Sequence, residues 1–128
     1  MRNMSFMLTT RQVIDRSKTV TRRMGWPGLA PGTLLWAVEK GMGLRPGEKV
    51  VRLALIRVVD VRGEPLRRMT DDPDYGIAEC AREGFCADPV LRWPTAFVPF
   101  FCGSHRGCTP ETVVNRIAFE YVDPLVMP

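Results

Sequence analysis

The sequence predicts an α+β domain built on a small, mostly antiparallel sheet or barrel with flanking helices. Three observations carry that expectation. Strand-like segments come first, helix-like segments follow and a strand closes the chain, without the alternation that a doubly wound βαβ fold requires. A length of 128 residues with 45% hydrophobic and 25% charged content is that of one ordinary globular domain. No internal repeat or low-complexity tract divides the chain, and the Pro/Gly-rich stretch from Gly25 to Gly32 is too short to separate domains. Such a chain buries roughly two thirds of its unfolded surface, enough for a core without metal or disulfide staples. One domain over 1–128 is expected, with its core from about 6 to 121.

Each element has a local reason. Thr9 or Thr10 caps a short helix from Arg11 to about Arg16, with Val13 and Ile14 on its apolar side. In Lys18 to Arg23 the β-branched Thr19-Val20-Thr21 reads as a short extended segment that ends before its two arginines force one of them inward. Leu34 to Val38 is a buried strand after the Pro31-Gly32 turn. Pro46-Gly47 turns the chain again, and Val50 to Arg62 is the strongest strand, with Arg52, Arg57 and Arg62 interrupting an apolar run long enough to need a curve or bulge. Thr70 or Asp72 then caps a helix begun by Pro73 and closed by Gly84, with Ile77, Cys80 and Ala81 sharing a face. Glu83 falls in its last turn, where the helix dipole favours a cation. A second helix from Thr95 to Ser104 contains Pro99 and offers Phe97, Phe100 and Phe101 as its apolar face. Val113 to Val122 alternates apolar and polar residues and reads as the closing strand.

The net charge of +4 conceals an asymmetry. Residues 1–68 hold fourteen Lys/Arg against five Asp/Glu, and residues 69–128 hold four against nine. The halves therefore carry +9 and −5. The Arg52, Arg57, Arg62, Arg67 and Arg68 series is the part of that surplus best placed to form a basic face for a polyanion. Met4 to Leu8 is too short for a signal-peptide core, and the longest uncharged run, Met24 to Val38, is broken by Gly25, Pro27, Gly28, Pro31 and Gly32. A cytoplasmic protein without a membrane partner is the expectation. Cys80, Cys86, Cys102 and Cys108 lie outside zinc-ribbon and redox CxxC spacings and read as reduced thiols. No metal or cofactor is expected, although a turn that brings Cys102, His105 and Cys108 together would make a metal site; core thiols and a surface histidine are the plainer reading.

The densest chemical constellation is Arg16-Ser17-Lys18-Thr19-Val20-Thr21-Arg22-Arg23. A lysine whose pKa is lowered by neighbouring cations serves as a base for a threonine hydroxyl, and a carboxylate orients such a lysine. Arg23 would hold an anionic group. In a regular strand Lys18 and Thr21 face opposite sides, so uniting them needs a bend. The plainer alternative is a solvated basic strand.

This run, followed by Gly25-Trp26, the Pro31-Gly32 turn, Met42-Gly43-Leu44 to Gly47-Glu48, Ile56 to Arg62 and Arg82-Glu83-Gly84-Phe85, resembles the ASCH domain family over roughly Phe6 to Tyr121. The small single-domain bacterial and phage members are the most similar. The resemblance implies a PUA-like fold, a small β-barrel with flanking helices, and between them a cleft that binds RNA or a modified nucleoside. The family motif, G-x-K and then R after four intervening residues, falls on Arg16, Lys18 and Arg23. Arg16 thus stands where the family has glycine, without glycine's freedom at positive φ and with a side chain long enough to fill or gate the cleft. Arg22 replaces an apolar residue. One bacterial branch, an acetylcytidine amidohydrolase, is similar in motif and uses a Lys, a Thr three residues later and a Glu on a downstream helix. On this chain those positions are Lys18, Thr21 and Glu83. Thr21 would be nucleophile or water-orienting hydroxyl, Lys18 its activator, and Glu83 the group that sets the lysine's charge and position.

The leading expectation is RNA or modified-nucleoside binding through Arg16, Lys18, Arg22, Arg23 and Trp26, the last stacking on a base. One alternative is an amidohydrolase acting on an acylated nucleoside such as acetylcytidine. Another is a phage or prophage accessory module that binds a protein, not further specified, through exposed side chains of Phe97 to Phe101. Convergence of the Lys18 amine, the Thr21 hydroxyl and the Glu83 carboxylate in a shared pocket within hydrogen-bonding reach separates the enzyme from the rest.

Overall fold

Five strands, β1 (Arg2–Ser5), β2 (Val20–Arg23), β3 (Leu34–Val38), β4 (Arg52–Pro65) and β5 (Val113–Val122), form one sheet in the order β1-β3-β4-β5-β2. The computed structural model that shows this describes residues 1–126. Three of the four pairings are antiparallel and β1 runs parallel to β3, so the sheet is mixed. Its two edge strands approach each other: Arg23 Nη2 on β2 donates to the Ser5 carbonyl on β1 at 2.6 Å. The α+β class expected from the sequence stands, as a curled half-barrel that is mostly antiparallel, with one parallel pair at its edge.

The strong strands lie where their patterns place them. β3 and β5 match their expected spans, and β4 runs on to Pro65. The register of β4 against β5 shifts between Val58 and Asp60, leaving Val59 without a partner and bulging the strand as its length implies. β1 was not expected, because four residues with a single buried side chain, Met4, carry no usable alternation. Its existence depends on pairing with β3, thirty-odd residues away.

Four short helices complete the chain. These are α1 (Thr10–Ile14), α2 (Arg68–Asp71), α3 (Pro73–Cys80) and α4 (Pro94–Ser104), with a π-helical turn over Ala81–Phe85 after α3. Asp72 caps α3, its carboxylate accepting from the Tyr75 amide at 3.2 Å, and Pro73 occupies the first turn, where its missing N–H costs nothing. The expected apolar face of this helix is wrong in part: Ile77 is exposed, and Gly76, Glu79 and Cys80 are buried. Gly76 sits so close to α2 that a Cβ would lie 1.8 Å from the Met69 carbonyl oxygen. α4 runs through Pro99 and buries Phe97, Val98 and Phe101.

Two apolar clusters result. One lies within the sheet around Met4, Phe6, Leu35, Ile56, Ile117 and Phe119. The other joins the helices through Leu66, Met69, Cys80, Phe85, Phe97 and Phe101. A cleft lies between them, lined by Phe6 of the first cluster and Phe85, Phe97 and Phe101 of the second. Among the described residues no helix is long and apolar enough to cross a membrane.

Candidate functional site

A cleft of about 220 Å³ opens between the sheet and the helices. The sheet side supplies Ser5, Phe6, Thr9, Lys18, Thr21 and Arg23; the helical side supplies Glu83, Phe85, Phe97, Phe100, Phe101 and His105. Five phenylalanines line it, and its charged groups, Lys18, Arg22, Arg23 and Glu83, come from the two segments singled out in the sequence.

Lys18 precedes β2, so strand alternation does not govern it, and this is how it joins Thr21 in one cleft. Four backbone bonds pin the approach. The Lys18 amide donates to the Gln12 carbonyl at 3.1 Å and the Thr19 amide to the Arg82 carbonyl at 2.8 Å. The Tyr121 hydroxyl donates to the Lys18 carbonyl at 2.6 Å, and the Phe119 amide to the Thr19 carbonyl at 2.9 Å. Lys18 Nζ then reaches both the carboxylate and the backbone carbonyl of Glu83, each at 2.9 Å. That second bond resolves the awkward position of Glu83. An ammonium caps the carbonyl at the negative end of the helix while pairing with the carboxylate, so the dipole penalty is offset at its source. Gly84 makes the approach possible: it adopts φ +101°, and a Cβ there would lie 2.7 Å from the Gln12 side chain. Burial pushes the Lys18 pKa below the ordinary lysine value against the opposing pull of Glu83, with Arg23 and Arg22 adding to the lowering.

Thr21 accepts a hydrogen bond from Arg23 Nε at 3.1 Å. That bond engages one of the hydroxyl's two lone pairs and leaves its proton free to be donated, although Lys18 Nζ is not among its hydrogen-bond partners. Arg23 is held over the Phe6 ring, 4.8 Å from its centroid, and has no carboxylate within ion-pair distance among the described residues. Burial lowers its pKa to about 10, Glu83 opposing, so it is a cation at neutral pH.

Arg22 behaves differently. β2 does not stop short of its arginines, as expected; it carries Arg22 inward with a fully buried side chain. Register explains the consequence. Arg22 pairs with Arg116 on β5, and Arg116 pairs with Arg62 on β4, so three arginines stand in one cross-strand row. Like charges in such positions repel, and carboxylates must answer them. Glu79 on α3 accepts from Arg22 Nη2, from Arg116 through both Nε and Nη2, and from Arg82 Nη1 at 2.8 Å. Glu64 accepts from Arg22 Nη2 at 2.7 Å, from Arg68 Nη1 at 3.0 Å and from the Tyr75 hydroxyl at 2.8 Å. Glu83 accepts from Arg22 Nη1 at 3.1 Å. Burial alone would lower the Arg22 pKa, but Glu83, Glu64 and Glu79 outweigh it and raise it. Burial likewise opposes ionisation of Glu79, and Arg116, Arg22 and Arg82 overcome it, holding the carboxyl well below its ordinary range. Three buried cations, Lys18, Arg22 and Arg116, thus face three buried carboxylates, Glu64, Glu79 and Glu83.

Glu64, Tyr75, Glu79 and Arg116 escaped the sequence reading. Glu79 and Glu83, four apart at the end of a helix with few other buried polar residues, are the signal that points to them.

Several expected contacts lie elsewhere. Arg16 does not line the cleft; it is exposed, with its guanidinium over the Tyr121 ring at 5.3 Å, so it neither fills nor gates the site. Its backbone is left-handed, at φ +63°, in the region that favours glycine. Trp26 also lies outside the cleft, packed on the sheet cluster beneath the Arg2 guanidinium at 4.2 Å. The Arg52 to Arg68 series is not a free basic face. Arg57 pairs with Glu120 at 2.9 Å, Arg67 with Asp71 at 3.1 Å, Arg62 and Arg68 with Glu64, and Arg52 covers Trp36. The Cys102, His105 and Cys108 alternative also fails. His105 Nδ1 is engaged by the Phe101 carbonyl and its ring lies on Phe101, and among the described residues no three His, Cys, Asp or Glu side chains are placed to hold a metal. Phe97 and Phe101 are buried, which leaves only Phe100 of that segment's phenylalanines for a protein partner.

No family model and no curated protein matches the sequence. Solved structures do match the fold. The ASCH domain of Lactobacillus crispatus JV V101 is 11% identical, with 94% of this chain and 78% of that one covered and a TM-score of 0.60. A protein of Enterococcus faecalis V583 described under DUF984 is 18% identical, with 95% and 79% covered and a TM-score of 0.58. With its curled sheet, its flanking helices and the cleft between them, the chain has an ASCH-like fold.

Proposed function

We propose that the cleft binds a single modified nucleoside and that Lys18, Thr21 and Glu83 hydrolyse an acyl amide on its base. The observation that carries this reading is the Lys18 Nζ–Glu83 Oε1 pair at 2.9 Å in a cleft that Thr21 and five phenylalanines also line. Aromatic walls suit a planar base. The volume of about 220 Å³ is below the roughly 300–1,000 Å³ of larger ligand pockets and favours one nucleoside over a strand of RNA. The arginines best placed for a polyanion are already paired, which also disfavours a strand.

In this reading Thr21 Oγ attacks the acyl carbon while its proton passes to Lys18, whose own proton moves to the paired Glu83 carboxylate, a transfer eased by the burial that lowers the Lys18 pKa. Arg23, fixed by the Ser5 carbonyl and by Phe6, faces the oxygen that gains charge. Lys18 returns the proton to the departing amine, and water releases the acyl group from Thr21. Glu83 positions Lys18 throughout. Incubation with N4-acetylcytidine should release acetate, and Thr21→Ala should lower turnover at least about 100-fold, the lower end for a positioned proton-transfer group. Its stability should fall by only about 1 kcal/mol, the value of the lost bond to Arg23. Wild-type turnover in Thr21→Ala would refute the assignment. The binding-only reading, favoured by the same aromatic walls, predicts nucleoside affinity without acetate release.

A further inference from the structure

His105 follows the last residue of α4 and is the only histidine in the chain. Its ring stacks on Phe101, with centroids 4.0 Å apart and planes 16° from parallel, at the end of an aromatic row through Phe85 and Phe97. That row forms the helical wall of the cleft. Nδ1 lies 2.8 Å from the Phe101 carbonyl oxygen. A carbonyl oxygen only accepts, so Nδ1 carries the hydrogen, and in the neutral ring the lone pair is assigned to Nε2. Nε2 has no hydrogen-bond partner among the described residues and is not a buried orphan. It is therefore open to a ligand.

The two walls are complementary in sign. The sheet side presents donors, Lys18 Nζ, Arg23 and the Thr21 hydroxyl, whereas His105 offers an acceptor from the helical side. A trans secondary amide points its C=O and its N–H in opposite directions across a plane. It can meet both walls at once. We infer that His105 is a specificity-determining residue whose Nε2 accepts the N–H of the ligand's amide, selecting a base acylated on a nitrogen that keeps one hydrogen over its N-alkylated counterpart. This rests on the nucleoside reading of the cleft.

The test is a binding cycle in protein carrying Thr21→Ala, so that ligand is not consumed, with N4-acetylcytidine and N4-acetyl-N4-methylcytidine as probes. His105→Phe keeps the stack on Phe101 and removes Nε2. It should weaken binding of the secondary amide about tenfold, equivalent to about 1.4 kcal/mol. The methylated probe should bind the His105 protein about tenfold more weakly than the secondary amide and be indifferent to His105→Phe. Equal loss of both probes would mean a structural role, and no loss would mean no contact; either overturns the inference while leaving the cleft reading intact. Failure of both probes to bind the His105 protein overturns the cleft reading and the inference with it. In the same Thr21→Ala protein the single imidazole can be read directly by 15N NMR: the unprotonated Nε2 resonance should shift on adding N4-acetylcytidine, and an unmoved resonance would also overturn the inference.

Discussion

Arg22 and Arg23 are adjacent on β2 and meet opposite environments. Arg22 turns under α3, where Glu64, Glu79 and Glu83 engage both terminal nitrogens of its guanidinium while its buried Nε has no partner among the described residues. Arg23 turns toward β1, meets a backbone carbonyl, a hydroxyl and an aromatic face, and keeps its charge uncompensated at close range. The same residue type is locked by carboxylates on one side of the strand and left without one on the other. Glu83 and Lys18 stand at the boundary, since Glu83 bonds Arg22 through one oxygen and Lys18 through the other. The difference teaches that charge density in a sequence does not locate a binding surface; what matters is which charges the fold has already answered.

That contrast can be broken at its strongest point. Glu79→Gln leaves Arg22 and Arg116 facing each other in the cross-strand row, and removal of one partner from a buried pair costs about 3–5 kcal/mol. Chemical denaturation measures it, and a loss below about 1 kcal/mol would mean that the row is not held by Glu79. Acid titration asks the same question more gently. Glu64 and Glu79 both have folded pKa values below the ordinary 4.5, so their contribution is complete above that value and is lost as the pH falls below it toward the folded pKa. Stability should drop steeply between pH 4.5 and 2, and less steeply in Glu79→Gln. Equal slopes would remove Glu79 from the explanation. The smallest effect belongs to Arg16, outside both regions. Arg16→Gly relieves a left-handed backbone and loses a contact with Tyr121, so stability should change by less than about 1 kcal/mol and turnover should be unaffected. A fall in turnover would return Arg16 to the cleft.

Legibility differed by element and by residue. β3 and β5 were readable because each is an apolar or alternating run bounded by turns, and the bulge in β4 followed from its length. Pro73 marked the start of α3, and of the two caps on offer, Thr70 and Asp72, the fold uses Asp72. β1 was unreadable, since its pairing with β3 is a long-range contact. Ile77 was assigned inward by its apolar character, yet the face of α3 that packs on the sheet is the one whose carboxylate meets arginines. Lys18, Thr21 and Glu83 were named through a family resemblance, and it took the fold to bring all three into one cleft.

The order of hydrophobic blocks, the turn residues and the caps are local properties, and they were enough to specify an α+β domain and most of its strands. The charge asymmetry was equally visible, but not its meaning. Whether an arginine is neutralised depends on strand register and on where α3 lands, and both are set by contacts between residues tens of positions apart. Coulomb and desolvation energies change steeply over a few ångströms, so only the folded chain could separate the locked arginines from Arg23, or turn the lone histidine's free nitrogen into a candidate ligand contact.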